Sequence, residues 1–314
     1  GSQQAPVVFT SWRDPMFSDE GGVQAGDWTS LRLDNPQGQV DLEWLEIRYG
    51  GNGEGALKLT NAAPSLERVM IRDSAGYPLS LDIQSNPQWG EITLVNNSPA
   101  NAAEIRSSHL ERAGELIWSP VKLADGSDLI RLVTGWLYIA ENAMLRVDPQ
   151  TVVKFTTEGG LEVRGGLTTD QAVFTSFHDA DFGGLTDGGV GGDLSWQGIH
   201  LLSQRPVMLQ NTTIRYAQTG IWMENASPVF SGLRIEHCFT AALSADLTSA
   251  PRFADVFLVD NPINGMLIRA TTLPDGETNW ELLGDGDQVV RVMLETLTIG
   301  PDAQLTIGEG VVLK

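Results

Sequence analysis

An all-β fold, a parallel β-helix, is what this sequence predicts, and three observations predict it. Runs with helical apolar spacing are short, so helices are not expected. The frequent pattern is apolar–x–apolar bounded by Gly, Asn, Asp or Pro, as in Leu45-Glu46-Ile47, Val69-Met70-Ile71, Ile92-Thr93-Leu94 and Val256-Phe257-Leu258. That is the period of a strand with turn punctuation. The third observation is the spacing of these triplets. Leu137-Tyr138-Ile139, Leu145-Arg146-Val147, Val153-Lys154-Phe155 and Leu161-Glu162-Val163 follow one another in steps of 8, so three steps span 24 residues. Ile47 to Ile71 is also 24, and both Ile71 to Leu94 and Ile235 to Leu258 are 23. A strand every 21–24 residues, with others at thirds of that interval, suits a three-faced coil whose turns stack on one another. Leu137, Ile139, Leu145, Val147, Val153, Phe155, Leu161 and Val163 are expected inside. Tyr138, Arg146, Lys154 and Glu162 are expected on the solvated face.

A longer repeat lies over the coil. Val8-Phe9-Thr10-Ser11-Trp12-Arg13-Asp14 returns as Val173-Phe174-Thr175-Ser176-Phe177-His178-Asp179, an offset of 165. Ile47-Arg48-Tyr49 returns as Ile214-Arg215-Tyr216, and Asn61-Ala62-Ala63-Pro64 as Asn225-Ala226-Ser227-Pro228. Leu94-Val95-Asn96-Asn97 returns as Leu258-Val259-Asp260-Asn261, and Leu137-Tyr138-Ile139 as Leu297-Thr298-Ile299. The chain therefore reads as one continuous β-helix over 1–314, built of two tandem units of about 160–168 residues. The first covers about 5–171 and the second about 172–314, and a third begins near 296. The parent protein is expected to continue in both directions. The opening Gly1-Ser2 has the look of a cloning remnant, so the absence of a leader says nothing about compartment.

Composition narrows the partners. With 20 Lys+Arg against 40 Asp+Glu, the net charge is −20. Such a chain lacks the basic face that nucleic acid or an anionic membrane requires. No apolar run is long enough to span a bilayer as a helix. Cys238 is alone, which excludes an intramolecular disulfide and a Cys-based zinc cluster; as a lone thiol it is expected to be buried. Four scattered histidines argue against a His-rich metal site. No dinucleotide-binding glycine fingerprint, Walker sequence or Gly-x-Ser-x-Gly elbow is present.

The progression from Leu137 to Ile199 runs Leu-x-Ile, Ala-x-Leu-x-Val, Val-Val-Lys-Phe, Gly-Leu-x-Val, Val-Phe-Thr-Ser-x-x-Asp, a Gly/Asp loop and Trp-x-Gly-Ile. It resembles the right-handed parallel β-helix repeat proteins of bacterial cell surfaces, with a pectin-lyase-like fold. The resemblance extends over essentially the whole chain through the repeats. It implies a right-handed coil of roughly a dozen rungs and an extracellular, cell-surface location. It does not select among the lyases, hydrolases, tailspikes, adhesins and stalks that use this fold.

Three constellations are candidates for chemistry. The acidic loops Asp14–Asp27 (with Asp19 and Glu20) and Asp179–Asp193 (with Asp181 and Asp187) hold carboxylates on Gly-rich backbone, which suits Ca²⁺. Their alternative is a solvated loop leaving one rung, and no cofactor is required. Arg215, near Glu236 and His237 by rung spacing, is the candidate centre for polysaccharide elimination or hydrolysis. Stacked rungs bring many carboxylates within the separation that hydrolysis needs, so the better filter is uniqueness to one unit. Asp14/Asp179, Arg48/Arg215 and Arg106/Arg269 occur in both. Trp44 and Trp222 are expected to face outward, where they are candidates for stacking a sugar. Trp12/Phe177, Trp28/Trp196, Trp89/Phe253 and Trp118/Trp280 recur and read as packing. Asn61/Asn225 and Asn97/Asn261 read as turn residues. The expected function is a non-enzymatic stalk or adhesive segment whose partners are neighbouring repeats and a polysaccharide or surface ligand. A carbohydrate-active enzyme and a glycan-binding module are the alternatives.

Overall fold

The computed structural model describes residues 1–186, 195–269, 272–283 and 289–314. It is a right-handed parallel β-solenoid of about 11 turns, with no helix among the described residues. Ten strands line one face, from Leu31–Asp34 to Phe257–Val259. Eight line a second face, from Ser108–Leu110 to Arg291–Val292, and six a third, from Gly114–Trp118 to Arg252–Ala254. A five-stranded sheet containing Val7–Phe9, Asp41–Arg48, Ser65–Arg72, Gln88–Trp89 and Ile92–Val95 lies at the N-terminal end. Gly276–Trp280 pairs with Ala303–Ile307 at the other end.

The predicted register is the observed one over the central rungs. Leu137 pairs with Leu161 and then Ile199, and Leu145 pairs with Leu116 and Leu167. All eight side chains expected inside are buried. Each such burial is worth about 1.5–3 kcal/mol, and the stacking of like residues in columns makes the core continuous along the axis.

Two residues of the ten-stranded face depart from the sequence pattern. The pattern places Lys154 in solvent, yet it is fully buried. The segment after Val173–Ser176 folds back over this face, and Lys154 Nζ donates to the carbonyls of Asp179, at 2.6 Å, and Gly184. The same cover hides an outward-facing apolar patch of Ala102, Ile130 and Leu132, against which Tyr77, Val152 and Phe177 pack. In Arg131–Val133, the core column therefore takes Arg131 and Val133 while Leu132 lies outside, between Glu104 and Lys154. Arg131 lies among the core columns, its Nη2 on the Ser119 carbonyl at 2.9 Å and its guanidinium 5.6 Å from the Trp118 ring. Burial pushes its pKa down to about 10.

The turns repeat as closely as the strands. Asn61 and Asn225 take left-handed φ values of 45° and 48°. One corner is left-handed rung after rung, at Tyr49, Asp73 and Asn96 in the first unit and Tyr216, His237 and Asp260 in the second. Asn97 and Asn261 use their side chains instead: each Nδ2 donates at 3.0 Å to the carbonyl one rung back, Ile71 or Ile235. Trp28 and Trp196 each donate their indole N–H at 2.7 Å, to the carbonyls of Arg48 and Arg215. Cys238 is buried, and its thiol is pushed up to about 12.

The units are not in line with one another. Leu57–Thr60 and Leu79–Leu81 lie in the ten-stranded sheet, whereas their counterparts Thr219–Met223 and Ala241–Ala245 lie in the eight-stranded one. Val7–Phe9 opens the five-stranded sheet, but Val173–Ser176 belongs to the ten-stranded one. Each unit thus turns the structure by one face, a third of a revolution.

Candidate functional site

The acidic loops are clamps built around an arginine. In the first unit Asp14 is buried; its Oδ2 accepts from Thr10 Oγ1 at 2.6 Å and Arg48 Nη1 at 3.3 Å, and its Oδ1 accepts from the Met16 amide at 3.0 Å. In the second, Asp179 Oδ2 accepts from Thr175 Oγ1 at 2.7 Å and Arg215 Nη1 at 2.8 Å, and Oδ1 accepts from the Asp181 amide at 3.0 Å. Phe17 and Phe182 lie over the respective guanidinium groups at 5.8 and 5.3 Å. Burial alone would raise the Asp14 pKa, but the bonds from Thr10, the Met16 amide and Arg48 outweigh it and hold the carboxyl below its usual value.

Among the calcium candidates, Asp14 and Asp179 therefore already serve a guanidinium and backbone donors. Asp27 closes its loop by accepting from Ser11 Oγ at 2.6 Å. Asp181 reaches Arg215 at 3.0 Å, and Asp19 and Glu20 are exposed. Asp187 and Asp193 lie outside the described residues. Among the described residues no group of three or more His, Cys, Asp or Glu is placed to hold a metal ion.

Rung stacking does bring Arg215 and Glu236 together. Arg215 Nε stands 2.9 Å from Glu236 Oε1, an ion pair without the alignment of a hydrogen bond. Both residues are buried. Burial opposes the charge on Arg215, but Asp179, Asp181 and Glu236 together raise its pKa. His237 does not join them. It occupies the left-handed corner, and its ring stacks on Tyr216 with centroids 5.4 Å apart. In the first unit Arg48 also engages a glutamate, through Nε at 2.6 Å and Nη2 at 2.7 Å, but that residue, Glu46, precedes it on the same strand, and Arg72 stands one rung on where the second unit has Glu236.

The two tryptophans have different surroundings. Trp222 belongs to an outward column of the eight-stranded sheet running His109, Tyr138, Glu162, His200, Trp222. The rings stack along the axis: His109 on Tyr138 at 4.4 Å and His200 on Trp222 at 5.1 Å. Arg269 lies 3.7 Å from the Trp222 centroid, so that ring has both a stacked histidine and a guanidinium against it. A sugar stacking there must displace one of them.

Trp44 stands in an open cleft of about 650 Å³ with Glu46, Arg68, Met70 and Glu91. It interrupts the strand Asp41–Arg48, whose register passes from Glu43↔Glu67 directly to Leu45↔Val69. Trp44 and Arg68 both take left-handed backbone, at φ 51° and 56°, and the guanidinium lies 4.7 Å from the ring. At the matching corner of the second unit stand Asn211 and Gly232, at φ 46° and 64°. Asn and Gly adopt this conformation readily, whereas a Trp or Arg there costs about 1–3 kcal/mol. The sequence pattern flagged Trp44 but not Arg68, because only the bend in the strand brings them face to face.

No protein-family model, curated protein sequence or solved structure matches this chain.

Proposed function

We propose that this chain is a non-enzymatic shaft segment of an extracellular bacterial surface protein, of the pectin-lyase-like β-helix kind. The observation that carries the reading is the doubling of the charged clusters. The Thr–Asp–Arg–Phe clamp occurs in both units with the same donors and acceptors. So does the arginine that bridges rungs: Arg106 bonds Ser80 Oγ and the Leu59 carbonyl, and Arg269 bonds Ser244 Oγ and the Met223 carbonyl. An active site needs one set of groups facing one substrate, whereas a shaft needs the same fastening in every unit. The charge of −20 keeps such rods apart in solution.

The test is a turnover screen against uronate-containing and neutral polysaccharides, read by unsaturated-uronate absorbance and by new reducing ends. The shaft reading expects neither signal. Turnover that disappears in Arg215→Lys overturns it in favour of an enzyme.

A second reading, glycan binding at the Trp44 cleft, is supported by the backbone cost of holding Trp44 and Arg68 where the other unit uses Asn211 and Gly232. The indole offers an apolar face and Glu46, Arg68 and Glu91 offer polar partners, the combination that recognises a sugar ring. Affinity electrophoresis in polysaccharide gels tests it. Retardation is expected to vanish in Trp44→Ala and persist in Trp222→Ala. Equal mobility of wild type and Trp44→Ala in every gel overturns it.

A further inference from the structure

One outward stripe changes character between the units. On the six-stranded face of the second unit, Met208, Val229 and Arg252 stand on consecutive rungs. The first unit holds Asp41, Ser65 and Gln88 in the same register. The match is fixed by the repeat: Met208 precedes Asn211 by three residues as Asp41 precedes Trp44, and Val229 follows Pro228 as Ser65 follows Pro64. Stacking of the rungs does not require the exchange, since the first unit builds the same ladder from an acid, a hydroxyl and an amide. By the filter of uniqueness to one unit, the stripe is a site and not a fastening.

Met208 and Val229 are 37% and 41% exposed, and Thr168 continues their column one rung earlier. Beside the column lies a notch of about 330 Å³, bordered by Met144, Gly166, Arg205 and Pro206. Glycine is needed at 166, because a Cβ there would stand 2.8 Å from the Met144 methyl group. Glu115 and Glu141 border the notch on earlier rungs, and Arg146 holds Glu115 at 2.9 Å. Arg205 stands six residues before Asn211, where the first unit has Gly38 six before Trp44. Most cations of this chain are tied to carboxylates or carbonyls. Among the described residues, only Arg112, Arg205, Arg252 and Lys314 have side chains with no hydrogen bond or ion pair. Two of these flank the apolar stripe.

We propose that this stripe docks an acidic polypeptide segment with aliphatic side chains. Its aliphatic groups lie on Met208 and Val229 and in the notch at Gly166, and its carboxylates meet Arg205 and Arg252. Charge selects the acid: with a net charge of −20 the chain repels an acidic partner elsewhere, so the unpaired arginines fix where the partner lands. Methionine, flexible and polarisable, adapts to aliphatic side chains. The stripe bears no aromatic ring, so it lacks the platform on which a sugar stacks. Length fits as well. Met208 and Arg252 are two rungs, or about 10 Å, apart, and same-side residues of an extended peptide recur about every 6.7 Å, so a short extended segment spans the stripe. The surface lies in the other unit from the Trp44 cleft and stands whatever that cleft binds.

The experiment is fluorescence anisotropy of the 314-residue chain with three labelled octapeptides: alternating Asp and Leu, alternating Ser and Leu, and Asp throughout. Two variants install the first unit's residues, Met208→Asp/Val229→Ser and Arg205→Gly/Arg252→Gln. All four side chains are exposed, and unchanged circular-dichroism melting confirms that each variant folds. The wild type is expected to bind the Asp-Leu peptide saturably, more weakly as salt is added, and at least tenfold more tightly than the other two peptides. Each variant is expected to bind the Asp-Leu peptide at least tenfold more weakly than the wild type. Absence of binding overturns the proposal, as do variants that bind like the wild type or an all-Asp peptide that binds equally well. Polygalacturonate that displaces the Asp-Leu peptide as readily as unlabelled peptide does would give the face to an acidic polysaccharide instead. Self-association of the wild type that is lost in Met208→Asp/Val229→Ser would give it to a second copy, and either result overturns the peptide reading.

Discussion

Asp179 and Arg215 are both nearly inaccessible to water, so neither tolerates loss of the other. Arg215→Met leaves a buried carboxylate facing an apolar side chain and is expected to cost about 3–5 kcal/mol in urea unfolding. The double variant Asp179→Asn/Arg215→Met is expected to recover part of that loss, since Glu236 keeps Arg234, Asp181 is exposed, and no buried charge is left unpaired. Two titrations add a pH dependence of opposite origin. Asp14 has a folded pKa below its usual 3.8, so its contribution is present above that value and is lost as pH falls through the folded pKa. Asp14→Asn is expected to flatten the acid limb of the stability profile. His200 is held below its usual 6.5 by burial, with the Arg269 charge adding and Glu162 opposing. Its neutral form is the folded one, so stability falls as pH drops through the ordinary histidine value toward the lower folded value. His200→Gln is expected to remove that slope between about pH 7 and pH 5, read as melting temperature against pH.

At the scale of the element, the strands were legible and the loops were not. A triplet such as Leu145-Arg146-Val147 states its own orientation, because one face of the strand is apolar and the other charged. Ile130-Arg131-Leu132 states it wrongly. Its outward residues are covered by Phe177 and the segment around it, far along the chain, and nothing local announces that cover. The cover depends on Lys154. Lys154→Ala removes the ammonium that ties the carbonyls of Asp179 and Gly184 to the sheet and is expected to cost about 1–3 kcal/mol. It should also open residues 177–186 to limited proteolysis, with new cleavage mapped by mass spectrometry. Calcium has little left to bind in the described parts of these loops, where Arg48 and Arg215 already neutralise the buried aspartates. Melting curves in millimolar Ca²⁺ and in EDTA are expected to coincide; a rise with calcium would place a cation among the exposed carboxylates instead.

At the scale of the whole molecule, the one-face rotation between units has a consequence for any long array. Equivalent surfaces, such as the clamp loops, return to the same side only after three units, so a shaft presents each of them all round its axis. The Trp44–Arg68 pair has Asn211 and Gly232 at its counterpart, so the cleft it lines is not carried by both units. The double variant Asn211→Trp/Gly232→Arg is expected to transfer the pair and lower stability by about 2–6 kcal/mol, at about 1–3 kcal/mol for each bulky side chain in left-handed backbone. An unchanged melting midpoint would remove the strain argument for that cleft.

The repeat pattern of the chain is enough to specify the solenoid: its period, its inward columns and the residues that recur at clamps and corners. Those properties are local or periodic. Each rung touches only its neighbours, so a pattern of some two dozen residues, repeated, specifies the stacking. Folding in three dimensions sets which recurring charges meet, turns His237 to a corner instead of toward Arg215 and Glu236, lays a loop over Lys154 and Leu132, and packs Trp222 against its own neighbours while Trp44 borders an open cleft. These depend on where a long loop lands and on the rotation of one unit against the next. Both accumulate over many turns, and no single repeat encodes them.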